Sequence, residues 1–389
     1  MPTPSIDDVA AHCRGQLDAM LPVLERLVNQ NSYSHNPEGG ELVAGMLADE
    51  LRAIDGLEVE LVPSDTYASH VIAITTAAKG SAEGAVALVG HHDTVFPPGT
   101  FEGFRVEGDI ARGPGVLDMK GGLTVCIFAL KALAAHGLLD RLPLRFVIVS
   151  EEEIGSPEGK PLLEERLAGA ACSLVFEAGR KHDKIITARK GTGGLVVKAT
   201  GKAGHAGNHH HDSHNAIWAL ARFIDAAQQM TDYDRGVTVN VGKVAGGISR
   251  NTVPGDAEAL VDIRFLTVED GERVAASLKA LAAKNSIDGT RIEVSGGVAR
   301  PPLVRGDANV ALFEEYATCA TAAGLGGEES SLIGGGSDAS TTSTMGIPSI
   351  DGLGPRGSGF HTNDELIEIS SLPLRLEALT RFLYGRLAG

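Results

Sequence analysis

Three apolar runs in this sequence end in histidine or acid, and their polar ends are where chemistry would be placed. "VALVGHHDTV" carries His91, His92 and Asp93 at the end of a run rich in β-branched residues. "LRFVIVSEEEIGS" ends in Glu151, Glu152 and Glu153, and "CSLVFEAG" ends in Glu177. Runs of this kind read as strands covered on both faces, so the polar residues mark where each strand emerges, the place at which open α/β sheets bind ligands. Side chains alternate along a strand, so His91 and Asp93 share a face while His92 points the other way. Such a pair can ligate a metal through the histidine and orient it through the carboxylate; a local hydrogen-bonded pair is the commoner alternative. In "GPGVLDMKGG" Asp118 sits in a glycine-rich turn leading into a helix, where the backbone can take unusual conformations and aim a carboxylate. Carboxylates packed together raise their electrostatic energy unless cations neutralise them, so several converging strand ends point to a metal centre.

The elements that must position these groups follow an α/β pattern. Helical apolar spacing covers residues 5–28 and 40–54, strand-like runs occupy "LEVELV", "HVIAIT", "AVALVG" and "LRFVIVS", and a small-residue helix spans 122–135. This alternation predicts a catalytic domain with a mixed, largely parallel sheet. From residue 186 to about 299 the texture changes to strand ("GGLVVKATG"), helix (215–229), strand ("GVTVNVGKV"), strand ("AEALVDIRF"), helix (268–283) and strand ("TRIEVSG"). That β-α-β-β-α-β order predicts a ferredoxin-like α+β domain, residues 188–300, inserted into a catalytic domain split between 1–187 and 301–389.

Composition narrows the class. The 389 residues, 43% hydrophobic and 22% charged, are ordinary for a soluble protein of two domains, and no apolar stretch is long enough to span a membrane. A net charge of −16 argues against nucleic acid or an anionic membrane as partner. The start, "MPTPSIDDVAAHCRG", has no basic segment followed by an apolar core, so a cytoplasmic location is expected. Cys13, Cys126, Cys172 and Cys319 are far apart and in apolar or helical contexts, so they read as buried free thiols and any metal must be held by histidine and carboxylate. The histidine-rich "GNHHHDSH" reads as a solvated turn and is given no role.

The sequence resembles the M20 family of metallopeptidases, most closely its glutamate carboxypeptidase branch. "GHHDTV", "GPGVLDMKGG", "SEEEIGS", "FEAG", "GKAGHAG", "NTVPGDAEALVDIRF", "GGGSDAS" and "GFHTNDE" carry the resemblance, in family order across nearly the whole chain. The resemblance implies two zinc ions, with cobalt or manganese as substitutes. His91 and Glu177 would serve one ion, Glu153 and His361 the other, and Asp118 would bridge both; three protein ligands per ion leave the open position that catalytic zinc requires. It also implies Glu152 as the general base, which takes a proton from water and passes it to the leaving amine, and Asp93 as the group that orients His91. A cis peptide between Asp118 and Met119 is implied as well, and Glu151 is left as a structural acid.

For the inserted domain the resemblance implies a homodimer interface and a lid, with hinges at about Thr187 and Pro301. His205 in "GKAGHAG" would reach the partner subunit's active site and stabilise the oxyanion. Asn251, Arg264 and Arg300 match positions that grip the substrate carboxylate, for which a guanidinium offers a planar two-pronged donor, and Gly335, Gly336 and Ser337 belong to a loop lining the same pocket. The expected activity is hydrolysis of an amide bond next to a free carboxylate, in a peptide or N-acyl amino acid, releasing a C-terminal glutamate or similar residue. An N-acyl-amino-acid deacylase or desuccinylase shares the same machinery. A non-catalytic metal-binding dimer is the remaining reading, and it has no need for either Glu152 or His205.

Overall fold

The computed structural model describes residues 4–387, so the first three residues of the amino-terminal stretch read above lie outside the described residues. The chain divides into two compact units: Met1–Ala188 with Arg305–Leu332 and Ser337–Gly389, and Arg189–Val304 with Ile333–Gly336.

In the first unit a six-stranded sheet runs in the order Leu57–Val62, His70–Thr75, Leu144–Val149, Val86–His91, Cys172–Val175, Ser349–Ile350. The first two pairings are antiparallel and the other three parallel, which makes the sheet mixed. The parallel part holds the three strands whose ends carry the acids. Val86–His91 lies between the other two with every residue buried, so His91, the Glu151–Glu153 run and Glu177 all emerge at the carboxyl edge of the same three strands. Helix Gly121–Ala135, which follows the Asp118 turn, is apolar all round and accordingly almost wholly buried. The helical region expected over 5–28 is two helices, Ile6–Arg14 and Leu17–Asn29. Ser5 starts the first with a capping box to Asp8, and Gly15 ends it.

Two glycines let the ligand-bearing segments approach one another. A Cβ on Gly90 would meet Met119 Cε and Leu123 Cδ2 at 2.7 Å each, and a Cβ on Gly122 would meet the Phe176 carbonyl oxygen at 2.1 Å. Any larger residue at either position would force the Asp118 turn away from the His91 strand or from the Glu177 segment.

Asp183, buried beyond the Glu177 segment, ties this unit's loops to its last helix, Ser371–Tyr384. It accepts from Arg356 Nε at 2.6 Å, the buried Arg375 at 3.1 Å and the Gly326 N–H at 3.0 Å. Burial favours the neutral carboxyl, but the hydrogen bonds from Arg356 and the charge of Arg375 outweigh it and hold the group below its ordinary value. A carboxyl depressed in the folded state contributes stability that is present above its unfolded value, about 3.9, and lost as pH falls toward the folded one. Asp183→Asn leaves Arg375 buried without this counter-ion and should cost about 3 kcal/mol. The expected result is a lower urea midpoint at neutral pH, with the gap to wild type closing below about pH 4.

In the second unit the antiparallel strands Thr238–Gly246, Asp256–Phe265, Gly191–Thr200 and Arg291–Arg300 lie in that spatial order, and helices Ala216–Gln228 and Val268–Asn285 complete a ferredoxin-like unit. Gly191–Thr200 and Asp256–Phe265 alternate between buried and more exposed residues, and the inward side chains, Val197, Val261 and Ile263 among them, pack with Phe223 and Leu278 of the helices. No helix among the described residues is long and apolar enough to cross a membrane. All four cysteines are free, and Cys319 is half-buried where full burial was expected.

Candidate metal centre

At the end of the central strand, His91 Nε2 lies 3.3 Å from Asp118 Oδ1 and 3.5 Å from Glu177 Oε1. On the far side of Asp118, His361 Nε2 lies 3.4 Å from Asp118 Oδ2 and 3.1 Å from Glu153 Oε2. Asp118 therefore turns one carboxylate oxygen to each histidine. The Asp118–Met119 peptide is cis, as the resemblance implies.

These spacings exceed the roughly 2.7–2.9 Å of a charge-assisted hydrogen bond. They match the edge, about 3.3 Å, of a tetrahedron of nitrogen and oxygen donors placed about 2.0–2.1 Å from a central ion. Two histidines with three carboxylates is a donor set suited to zinc and its first-row neighbours. Glu153 Oε1 is buried with no hydrogen-bond partner among the described residues, as expected of a ligand group whose cation supplies the missing contact. The residues thus fit a pair of ions that share Asp118. Glu152 belongs to the same cluster, with ligand atoms of His91, Glu152 and Glu177 all within 4.8 Å of one another.

The electrostatics agree with the geometry. Burial disfavours a charged His91, but Glu177, Asp118 and Asp93 outweigh it and hold the imidazole well above its ordinary value. Hydrogen bonds with Asp118 and Glu153 push His361 up to about 10. Burial raises Glu153, and burial with the Asp118 charge raises Glu177 well above the carboxylate range. The cluster holds protons where positive charge is wanted, and a metal would displace them on binding.

Around the cluster the chain fixes the ligands' orientation. Asp93 Oδ1 lies 3.3 Å from His91 Nδ1 and accepts the Glu152 N–H at 3.0 Å, while Oδ2 accepts the Glu153 N–H at 3.2 Å and the Ser34 hydroxyl at 2.6 Å. His91 Nδ1 also meets the Asp93 carbonyl at 3.1 Å. With only acceptors facing Nδ1, that nitrogen keeps its proton, and the proton a metal would displace is the one on Nε2, which faces the cluster. Glu151 turns away and accepts the N–H groups of Glu158, at 2.9 Å, and Gly159, which caps helix Gly159–Arg166.

Sequence comparison decides what kind of protein carries this arrangement: the profile of peptidase family M20/M25/M40 matches residues 87–385. The chain belongs to the M20 peptidase family. It is 30% identical to carboxypeptidase G2 of Pseudomonas sp. (strain RS-16) over 95% of this chain and 90% of that protein. It is 28% identical to the acetylornithine deacetylase of Myxococcus xanthus over 76% of this chain and 81% of that one. Its fold is shared with YXEP of Bacillus subtilis, a dinuclear metal binding M20 peptidase, at a TM-score of 0.66 and 17% identity, covering 95% of this chain and 98% of the other.

In the second unit of this M20 peptidase, His205 sits in a two-residue strand, Gly204–His205, paired with Thr252–Val253. Its Nδ1 accepts the N–H groups of Gly207 and Asn208 at 3.1 and 3.2 Å, which leaves the proton on Nε2 and makes the ring an outward donor. Asn251 is beside it, its carbonyl accepting the Ala206 N–H and its Oδ1 the Ser249 hydroxyl. Three arginines lie against the Gly334–Gly336 segment, two of them through their guanidinium groups. Arg264 donates to the Gly334 carbonyl at 3.2 Å while gripping Asp262 with two bonds of 2.8 Å, and Arg189 donates to the Gly335 carbonyl at 3.1 Å. Arg300, buried, lies so near Gly336 that a Cβ there would stand 3.0 Å from its Cδ. Ser337 parts from these glycines; it belongs to the first unit, where it is buried and donates to Asp351 at 2.5 Å.

Sequence reading passes over Arg189, Ser34, Lys120 and Glu365. Lys120 is fully buried, donates to the Gln30 carbonyl at 3.0 Å, and is pushed down to about 7 by burial in spite of the charges of Glu365 and Asp93. Two of them had a signal, Lys120 two residues after Asp118 in "GPGVLDMKGG" and Glu365 four residues after His361 in "GFHTNDE".

Proposed function

We propose that this M20 peptidase is a dinuclear zinc hydrolase that cleaves an amide bond next to a free carboxylate and releases a C-terminal glutamate or a similar amino acid. The observation that carries the hydrolase reading is the pair of ligand triads sharing Asp118. Similarity to carboxypeptidase G2 across nearly the whole chain supports the carboxypeptidase side of it. His91, Asp118 and Glu177 would hold one ion and His361, Asp118 and Glu153 the other. Bound there, two such ions supply Lewis acidity to the scissile carbonyl and make water acidic enough to lose a proton near pH 7.

The chain's own residues do the rest. Glu152 takes a proton from the attacking water and delivers it to the leaving amine nitrogen. Asp93 aids this by holding the Glu152 and Glu153 N–H groups on its two oxygens, which fixes both carboxylates relative to His91. His205, with its proton on Nε2, is suited to donate to the carbonyl oxygen as charge develops there, and we assign it that role on substrate bound by the partner subunit of a homodimer built through the second unit. The cluster of Arg189, Arg264 and Arg300 at Gly334–Gly336, with Asn251, supports recognition of the substrate's carboxylates.

The deacylase or desuccinylase reading draws on the likeness to acetylornithine deacetylase and shares every step above. Zinc-loaded protein assayed on peptidyl and N-acyl substrates differing only in the C-terminal residue separates the two. Chelator-sensitive release of glutamate is expected, with kcat/KM falling about 10- to 100-fold when the side-chain carboxylate is removed, the worth of a charged hydrogen bond. Preference for short acyl groups whatever the amino acid would transfer the assignment to the deacylases. Absence of hydrolysis across the panel would remove both.

A further inference from the structure

Glu365 is fully buried, and its carboxylate spends both oxygens on the turn that carries Asp118. Oε1 accepts the N–H groups of Leu117 and Asp118 at 2.8 and 2.9 Å, and Oε2 accepts that of Gly115 at 3.1 Å. The turn needs such an acceptor because it opens after Gly115 in left-handed geometry (φ 74°), so the Leu117 and Asp118 amides are first-turn donors with no preceding helical carbonyl to meet. Four residues before Glu365, on the same loop, is His361, half-exposed at a left-handed φ of 63°. That loop joins the paired strands Gly357–Ser358 and Leu366–Glu368; within it Thr362 N–H meets the Gly359 carbonyl and Glu365 N–H the Thr362 carbonyl, and from outside it Arg112 donates to the Asp364 carbonyl at 3.3 Å. His91, by contrast, closes a strand paired on both sides, and Glu177 lies two residues past the strand that pairs with it. One ligand triad is anchored by the six-stranded sheet; the other takes His361 from a hairpin loop whose hydrogen bonds to the Asp118 turn run through Glu365.

We propose that Glu365 is a positioning residue that locks the His361 loop to the Asp118 turn, and that its loss weakens the ion on the His361–Glu153 side while sparing the one on the His91–Glu177 side. The proposal rests on the dinuclear reading above. Glu365→Gln keeps the size and one carbonyl oxygen for Leu117 and Asp118, but it turns an amide NH2 onto the Gly115 N–H, donor against donor.

The test is made on full-length protein stripped with chelator, desalted and titrated with zinc, with ions per chain counted by elemental analysis. A parallel titration with cobalt(II) reads the visible absorption of each site. Wild type should take two ions. Glu365→Gln should keep one at wild-type affinity and bind the second about 10- to 100-fold more weakly, with the cobalt spectrum losing one component, as is typical when a group supporting a ligand is lost. Glu368→Gln is the control: Glu368 sits on the adjoining strand Leu366–Glu368, 3.5 Å from Arg356 and outside the turn, and should keep both ions. Two ions at wild-type affinity in Glu365→Gln would overturn the proposal, and so would equal weakening in both variants. Should Glu365→Gln fail to fold by circular dichroism, Glu365→Asp replaces it; its carboxylate is too short to reach both ends of the turn, so an unweakened second ion there overturns the proposal equally. A wild-type chain that takes no more than one ion removes the dinuclear reading itself, an outcome distinct from two ions in wild type and variant alike.

Discussion

Glu152→Gln should lower kcat/KM by about 10³-fold or more, within the range that a general base contributes, while leaving the ions per chain at the wild-type number. Glutamine is nearly isosteric but cannot accept a proton from water. The Glu152 main chain is held by Asp93 through its N–H, a bond the substitution leaves in place, so the neighbouring Glu153 should stay aimed. Metal content is the measurement that gives this variant its force. Ligand atoms of Glu152, His91 and Glu177 lie within 4.8 Å of one another, so proximity alone would also allow Glu152 to be a ligand. A ligand role predicts that rate and metal fall together; a base role predicts that rate falls alone. A variant that keeps its full rate would take Glu152 out of the mechanism.

The parts of this fold legible in the sequence are those written in local pattern. Val86–His91, Leu144–Val149 and Cys172–Val175 are short β-branched runs that stop at charged residues, and a run covered on both faces can stop that way only where it leaves the core. The inserted unit was legible because its element order is itself a fold signature. What stayed hidden is long-range. The resemblance placed Gly335 and Gly336 with Arg264 and Arg300, but no local pattern announces that Ile333–Gly336 returns to the second unit while Ser337, next in sequence, is fastened to Asp351 in the first. Ser34 reaches Asp93 across 59 positions, and Glu365 reaches Asp118 across 247. Arg264 is the local exception: Asp262, two residues earlier on the same face of its strand, grips it with two hydrogen bonds, a partner that strand alternation alone can suggest. Residue type and strand end could be read from sequence; the partners that orient each side chain belong to the tertiary fold.

Asp118→Asn should weaken both ions, where a change at any other ligand should weaken mainly one. Among the described residues only Asp118 offers an oxygen to each histidine, at 3.3 and 3.4 Å, and an amide presents one oxygen and one donor where two acceptors are needed. Loss of a direct ligand should exceed the 10- to 100-fold typical of a supporting group, so affinity for each ion should fall by at least about 100-fold and activity with it. The metal-free protein should also be weakened, for a different reason. Burial disfavours the Asp118 anion, but hydrogen bonds with His361 and His91 outweigh it and hold the carboxyl well below its ordinary value, so the fold favours the anion and loses by its removal. Unfolding midpoints with and without zinc would read both effects: zinc should raise the wild-type midpoint and leave that of Asp118→Asn nearly unmoved, while the metal-free variant melts below metal-free wild type. One ion retained at wild-type affinity would show that Asp118 serves a single site. A metal-free variant that melts no lower than wild type would mean that the two histidines gain nothing from the Asp118 carboxylate until a metal is bound, and that the turn is held by its other contacts.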